Sequence, residues 1–184
     1  ITFINADLFD DVLPDNFFDF IWCNGVLHHT KNPAAGFGNL TKKLNKNGII
    51  LIGLYNKFGR VRTIIRKYIY KILGKNYLLL FDPILRSLKK DYKKNLNKIE
   101  SWINDQYEHP IESLHTYGEC MEWISNNNLE FINCIPNLNT NLDHDLFKKI
   151  KIPNIYERFF IQSSMPFRSY GTEGGLFIII AKKR

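Results

Sequence analysis

The chain has 184 residues and a mass of 21.7 kDa. It is 45% hydrophobic, 14% aromatic and 23% charged, which is material for one well-filled core and a single domain and excludes an intrinsically disordered chain. Gly 11 and Pro 7 are ordinary values and exclude collagen-like, mucin-like and low-complexity proteins. The net charge of +7 and pI near 9.3 suit RNA, anionic lipid or phosphorylated partners alike, and the lysines are scattered rather than massed, so charge alone selects none of them.

Residues 1 to 5 read as a short β-like run, followed by a loop with Asp7, Asp10, Asp11 and Pro14-Asp15. Phe18 to Cys23 reads as a buried strand ending at Asn24-Gly25. Asn32-Pro33 then supplies a helix N-cap with proline at the first helical position, and Phe37, Leu40 and Leu44 keep helical spacing until Asn47-Gly48 stops it. Gly48 to Leu54 is the continuous apolar run of a strand buried on both faces. Strand, crossover helix and strand make a right-handed βαβ unit.

From Asn56 to about His115 the pattern becomes helical with basic faces. Val61, Ile64, Ile65, Tyr68, Ile69, Ile72 and Leu73 recur at helical spacing, whereas Arg60, Arg62, Arg66, Lys67 and Lys71 fall mostly elsewhere. This stretch of about 56–115 is expected to be an inserted helical cap over the strand ends. The apolar stripe of its first helix should pack on the domain and leave a solvated outer face; the alternatives are a helix lying on a membrane or tracking a phosphate backbone. Thr116 and Glu119 form a capping box for a helix that Asn126-Asn127-Asn128 ends, Leu129 to Ile135 is a strand, helical pieces fill 143 to 163, and Gly174-Gly175 introduces a final buried strand through Ala181.

Cys23, Cys120 and Cys134 are odd in number and lack C-x-x-C spacing, which supports neither a disulfide framework nor a zinc site and points to a reducing, cytoplasmic setting. No apolar run reaches the roughly 18 to 20 residues needed to span a bilayer. The opening Ile-Thr-Phe-Ile-Asn has no initiator Met and no signal-peptide pattern, so the chain is expected to begin within a strand.

Asn5-Ala6-Asp7, the segment from Phe18 to Thr30, Asn32-Pro33 and the segment from Leu44 to Ile52 resemble, in order and spacing, the second half of a class I S-adenosylmethionine-dependent methyltransferase. Gly53 to Arg60, Asp105 to Pro110, Glu112-Ser113, His115-Thr116 and Glu173 to Phe177 resemble a bacterial subgroup of that superfamily. The resemblance implies an α/β, Rossmann-like methyltransferase sheet truncated at its amino end, with the helical cap inserted and an antiparallel last strand. It also implies S-adenosylmethionine as cofactor and methyl transfer as the reaction. The superfamily's Gly-rich loop and ribose-binding acid have no counterpart in these residues; if residue 1 lies in the third strand, as the resemblance implies, they are expected to precede it, and this piece is expected to hold about half of the cofactor site and to be weak alone.

The resemblance implies further that Asp7 accepts a hydrogen bond from the adenine amino group, with the N–H of Leu8 available to a ring nitrogen. It places Asn24 and Gly25 beside the cofactor's amino-acid part and sulfonium. Read without it, the Asp7 loop is a solvated acidic loop and Asn24-Gly25 a tight turn. His28 is the candidate general base for an acceptor hydroxyl or amine, with His29 the weaker one. Tyr55 and Asn56 follow a strand end and either line an acceptor pocket or begin a helix. Asp105, Tyr107, His109, Glu112 and His115 lack the spacing of a metal site; His109 and His115 either face the acceptor or hinge the cap to the core. The expected acceptor is a small molecule. The alternative is a non-catalytic or RNA-binding domain of the same fold.

Overall fold

The computed structural model describes residues 1–137, 145–167 and 175–184. Four strands form one sheet: β1 (Phe18–Asn24), β2 (Leu44–Tyr55), β3 (Leu129–Ile135) and β4 (Leu176–Lys183), in the order β1-β2-β4-β3. β1 and β2 are parallel, joined through helix α1 (Pro33–Lys43), while β4 runs antiparallel to both of its neighbours. The side-chain carboxamide of Asn32 accepts from Ala35 N at 3.1 Å and Pro33 opens the helix, as the sequence predicts.

Continuous hydrophobicity in β2 is explained by burial on both faces. Ile50, Ile52 and Leu54 join the larger core with Phe37, Tyr117, Cys120, Phe131 and Phe177, whereas Leu51 joins Ile132 and Ile180 on the other side. Helix α6 (Tyr117–Asn126) covers the larger core together with α1, and its Thr116–Glu119 capping box is present. Each strand bound expected from the sequence lies close to the observed one except at β2, which starts at Leu44 rather than Gly48. Asn47, which was expected to stop a helix, instead holds a positive φ of 64° within the strand.

Among the described residues one expected element is absent and another is shorter than expected. Residues 1 to 5 form no strand and are exposed, because an isolated extended segment gains nothing without a neighbour to complete its hydrogen-bond ladder. Of 143 to 163, only α7 (Ile155–Ser164) is helical; residues 138–144 lie outside the described residues, and Ile150 N donates to Ile132 O at 2.9 Å, so that stretch runs beside β3 instead.

Between β2 and α6 lies the helical insertion: α2 (Val61–Leu73), α3 (Lys75–Phe81), α4 (Pro83–Leu88), α5 (Tyr92–Ile103) and a π-helical turn at Asn104–Glu108. It has its own apolar cluster of Leu78, Leu79, Leu85, Ile99, Ile103 and Tyr107. Asp82 is buried at its centre, capping α4 through Ile84 N and Leu85 N (2.8 and 2.9 Å) and accepting from Tyr107 Oη at 2.5 Å.

The orientation of α2 corrects the sequence reading. The helix packs by Thr63, Arg66 and Tyr70: Thr63 is buried, Arg66 reaches Asp82 at 4.0 Å, and Tyr70 donates to Glu108. At about 100° per residue, Val61, Ile65, Tyr68 and Ile72 lie on the opposite side, and all four are exposed. The stripe expected to be buried faces outward. Arg60, expected on the basic outer surface, is 0% exposed.

Two backbones touch beside the buried Arg60. Gly175 sits at φ 92°, and a Cβ there would lie 2.5 Å from Gly59 C and 2.6 Å from Arg60 N; Asn56 N donates to Gly175 O at 2.8 Å. Gly175→Ala is therefore expected to destabilise the fold by about 2–4 kcal/mol, combining the left-handed backbone penalty with overpacking. Urea unfolding measures it, with Gly74→Ala as comparison, since Gly74 has a similar φ of 72° but open space where the Cβ would lie.

Candidate active site

The carboxyl ends of β1 and β2 lie side by side, with Asn24 opposite Gly53 in the register. Carboxyl ends of the strands in an open α/β sheet form the crevice where ligands bind. The Asn24 side chain folds over Gly53, where a Cβ would come within 1.7 Å of Asn24 Oδ1, so only glycine leaves it room. That buried oxygen has no hydrogen-bond partner among the described residues. Gly25 follows at φ 77° with nothing within 4 Å of where a Cβ would stand, and its N–H donates to Gly53 O at 3.1 Å.

One 3₁₀ turn (Leu27–His29) then sends His28 inward. Its ring is fully buried, 4.0 Å from the Tyr55 ring and 4.2 Å from that of His29, which in turn lies 3.8 Å from His109. Neither His28 ring nitrogen has a partner among the described residues. Burial, reinforced by the neighbouring His29 and Arg60 charges, lowers its pKa to about 3. His28 is thus a neutral acceptor and donor of hydrogen bonds at neutral pH.

Besides the His28 ring, Gln106 and Arg60 contact the Tyr55 side chain. Its hydroxyl accepts from Gln106 Nε2 at 2.9 Å, and the Arg60 guanidinium stands 3.8 Å over its ring. Burial raises the phenol above its ordinary pKa against the opposing pull of Arg60, so it stays protonated. Arg60 Nε and Nη2 donate to the two carboxylate oxygens of Glu112 at 3.0 and 2.8 Å, and Nη1 donates to Gln106 Oε1 at 2.5 Å. The planar fork of arginine fits this bidentate pairing.

A strap formed by residues 111–116 closes over the edge. Ser113 N donates to His28 O (2.9 Å), His115 N to Tyr55 O (2.9 Å) and Lys57 N to His115 O (3.0 Å), while the Ile111 carbonyl meets His29 Nδ1 at 2.8 Å and His109 Nδ1 at 2.6 Å. His115 is buried, with Nε2 2.8 Å from Ser113 Oγ and its ring against Trp123.

The structure therefore brings Asn24, Gly25, His28 and Tyr55 together and sets His109 at the end of the same row of rings. His115 belongs to the strap. Asn56 is fully buried and its side chain is occupied: Oδ1 accepts from Phe58 N and Gly59 N (2.9 and 3.1 Å), and Nδ2 donates to Gln162 (3.1 Å). Asn56 thus closes the turn at residues 57–60 that leads into α2, whose own N-cap is Arg60. Asp7 lies exposed in a loop closed on itself, accepting from Phe9 N at 2.9 Å. Leu8 and Phe9 pack over Gly36, where a Cβ would meet Leu27 at 2.9 Å and Leu8 at 3.2 Å, so the loop adjoins the site through α1. Asp11 and Asp15 of the same loop pair with Lys43. Among the described residues no three His, Cys, Asp or Glu converge on a metal position. Sequence reasoning missed the buried Arg60–Gln106–Glu112 network; its signal was the coincidence of all three within the segments that carried the resemblance.

Residues 1–52 match the family described as "Methyltransferase domain". A protein of Rickettsia typhi described as PKMT2 in complex with AdoHcy shares the fold, with TM-score 0.56 and 15% identity over 97% of this chain and 39% of that one. PKMT2 of the same organism in a second structure gives TM-score 0.52 and 15% identity over 92% of this chain and 37% of that one. An uncharacterised protein of Synechococcus sp. is 26% identical over 148 residues, covering 72% of this chain. The chain spans 36% of that curated relative's length. The fold is that of the class I S-adenosylmethionine-dependent methyltransferases, and S-adenosylmethionine is the cofactor of that class. The site fits it: a buried carboxamide oxygen without a partner and a side-chain-free Gly25 stand at the strand ends.

Glu112→Ala strands a wholly buried guanidinium and is expected to cost about 3 kcal/mol or more, read as a lowered urea midpoint. Titration of His28 gives a second expectation. Its folded pKa lies below the ordinary 6.5, so the unfolded chain binds this proton more readily; the contribution is complete above pH 6.5 and is lost as pH falls towards 3. Stability measured between pH 7 and 4 should fall, and His28→Phe, which keeps the stack on Tyr55, should make the fall shallower.

Proposed function

We propose that the protein transfers a methyl group from S-adenosylmethionine to a small-molecule acceptor at the carboxyl edge of β1 and β2. The observation that carries this reading is His28, a fully buried neutral imidazole with neither nitrogen partnered among the described residues, four positions from the Asn24 carboxamide oxygen that is likewise without a partner there. Buried polar atoms in folded proteins are almost always satisfied, so a cluster of unsatisfied ones marks where a ligand's polar groups belong.

The cofactor, when bound, supplies an electrophilic methyl on a sulfonium that departs as a neutral thioether. What remains for the protein is alignment and desolvation. Asn24 and Gly25 hold the cofactor's amino-acid end, while Asp7 and the N–H of Leu8 meet the adenine. His28, with its pKa near 3, accepts a hydrogen bond from the acceptor's hydroxyl or amine and aims its lone pair, without being a strong base. Tyr55, protonated and braced by Arg60 and Gln106, keeps the His28 ring in place. The strap and the row of His28, His29 and His109 enclose the position, which suits a small molecule better than a polynucleotide. His109, half-buried at the outer end of the row, is the residue placed to meet an incoming acceptor.

Calorimetry with S-adenosylhomocysteine tests the cofactor half. Asp7→Ala is expected to weaken binding by about 1–3 kcal/mol, the cost of an unsatisfied polar partner. His28→Phe should leave that affinity unchanged while lowering methyl incorporation at least about tenfold in a labelled-methyl screen of hydroxyl- and amine-bearing small molecules. Equal cofactor affinity in wild type and a folded Asp7→Ala variant would return the acidic loop to solvent.

A further inference from the structure

Helix α2 sits the opposite way round from an ordinary surface helix. An amphipathic helix packs its apolar stripe on the core and offers its polar side to water, yet α2 is fastened through Thr63, Arg66 and Tyr70. Val61 is 41% exposed, Ile65 52%, Tyr68 66% and Ile72 82%. These four occupy positions i, i+4, i+7 and i+11, so they form a single seam along the helix. At its amino end the seam adjoins the ring pair of Phe58 and the exposed Phe159, 6.2 Å apart.

The charge around this seam selects its occupant. Residues 57–81 carry Lys57, Arg62, Lys67, Lys71 and Lys75 besides the buried Arg60 and the inward-facing Arg66, and no Asp or Glu at all; of these Lys75 pairs with Glu100 of α5. A second copy would set these cations against their own counterparts across a low-dielectric contact, which disfavours self-association. An RNA would use the cations but would gain nothing from Ile65 and Ile72, which are neither flat nor polar. An anionic bilayer uses both: apolar side chains enter the boundary of the acyl chains, a tyrosine sits at headgroup level, and flanking lysines and arginines meet the phosphates. Among the described residues no helix is long and apolar enough to cross a membrane, so the fitting mode is a helix lying in the interface plane.

We infer that the protein docks reversibly on anionic lipid bilayers through the Val61–Ile65–Tyr68–Ile72 face of α2. This does not depend on the methyl-transfer reading, since it concerns a surface turned away from the Tyr55–Arg60 network.

Sedimentation with sucrose-loaded vesicles tests it, comparing phosphatidylcholine alone with a mixture one-third phosphatidylglycerol. The protein should bind the anionic vesicles at least about tenfold more tightly, with binding falling steeply as salt rises. Ile65→Ser combined with Ile72→Ser should lose at least about tenfold of that affinity without lowering the melting temperature, because both side chains are already in water. Lys67→Gln with Lys71→Gln should weaken binding severalfold and flatten its salt dependence. Equal binding to both vesicle types, or unchanged binding by the double serine variant, overturns the proposal. A lower melting temperature in that variant also overturns it, since the seam would then be covered from within the protein. If single-stranded RNA is retained at physiological salt by wild type and double serine variant alike while vesicles are ignored, the face belongs to nucleic acid.

Discussion

A guanidinium with no contact to water sets the terms for this molecule. Arg60 is charged at any accessible pH, and removing it from water costs several kcal/mol before any partner is found. Its partners come from far along the chain: Gln106 and Glu112 follow it by 46 and 52 residues. The insertion must therefore leave the sheet, complete its helices and return to the same point. A buried ion pair is weak evidence of net stability, but it is strong on geometry, because an alternative docking of the cap leaves a charge unpaired. Once Gln106 and Glu112 are in place, the strap that follows them falls across the strand ends, and its amides have the carbonyls of His28 and Tyr55 to bind.

The chemistry of the edge is a consequence of the same charge. Arg60 braces Tyr55 from above and opposes protonation of His28 from a distance. A row of aromatic rings leads from the interior, through His28 and His29, to the half-buried His109. On the proposed methyl-transfer reading, such a place would align an acceptor away from water with little need of a strong base. Gly59 and Gly175 border this arrangement, since their backbones meet directly beside Arg60 and leave no room for a Cβ on Gly175.

Much of the sheet was legible because its signals are local. An apolar run such as Ile49 to Leu54 has few ways to be buried other than in the middle of a sheet, and Asn32-Pro33 and Thr116-x-x-Glu119 write helix starts into neighbouring residues. Residues 1 to 5 misled because a strand is a property of a pair, and apolar alternation says nothing of whether a neighbour is present. Arg60 was illegible for a related reason: its burial depends on partners some fifty positions away. The face of α2 misled more instructively. Periodicity reports that a helix has two unlike sides, and the usual inference that the apolar side faces inward adds an assumption. Here Asp82 and Glu108 on neighbouring segments offered better partners to Arg66 and Tyr70 than an apolar surface could. In the candidate site, Asn24, Gly25, His28 and Tyr55 could be singled out because they stand at or just beyond strand ends, whereas the hydrogen bonds that occupy the Asn56 carboxamide come from the turn after it and from Gln162, 106 residues on, and left no local signal.

The insertion's apolar cluster and the sheet's apolar cluster share no residue. Hydrophobic burial therefore binds each part to itself, and what joins them is mostly polar and directional, concentrated at Arg60. Protein regions with separate cores and a narrow polar junction behave as distinct cooperative units, opening at free energies below that of global unfolding. Amide protons of α3 to α5 would then exchange as one set and those of β2 and β4 as another, slower one. The crevice at the strand ends would then open with the cap as a body, against the Arg60 ion pair, the strap's backbone hydrogen bonds and the contact of the His29 and His109 rings rather than against the stability of the sheet.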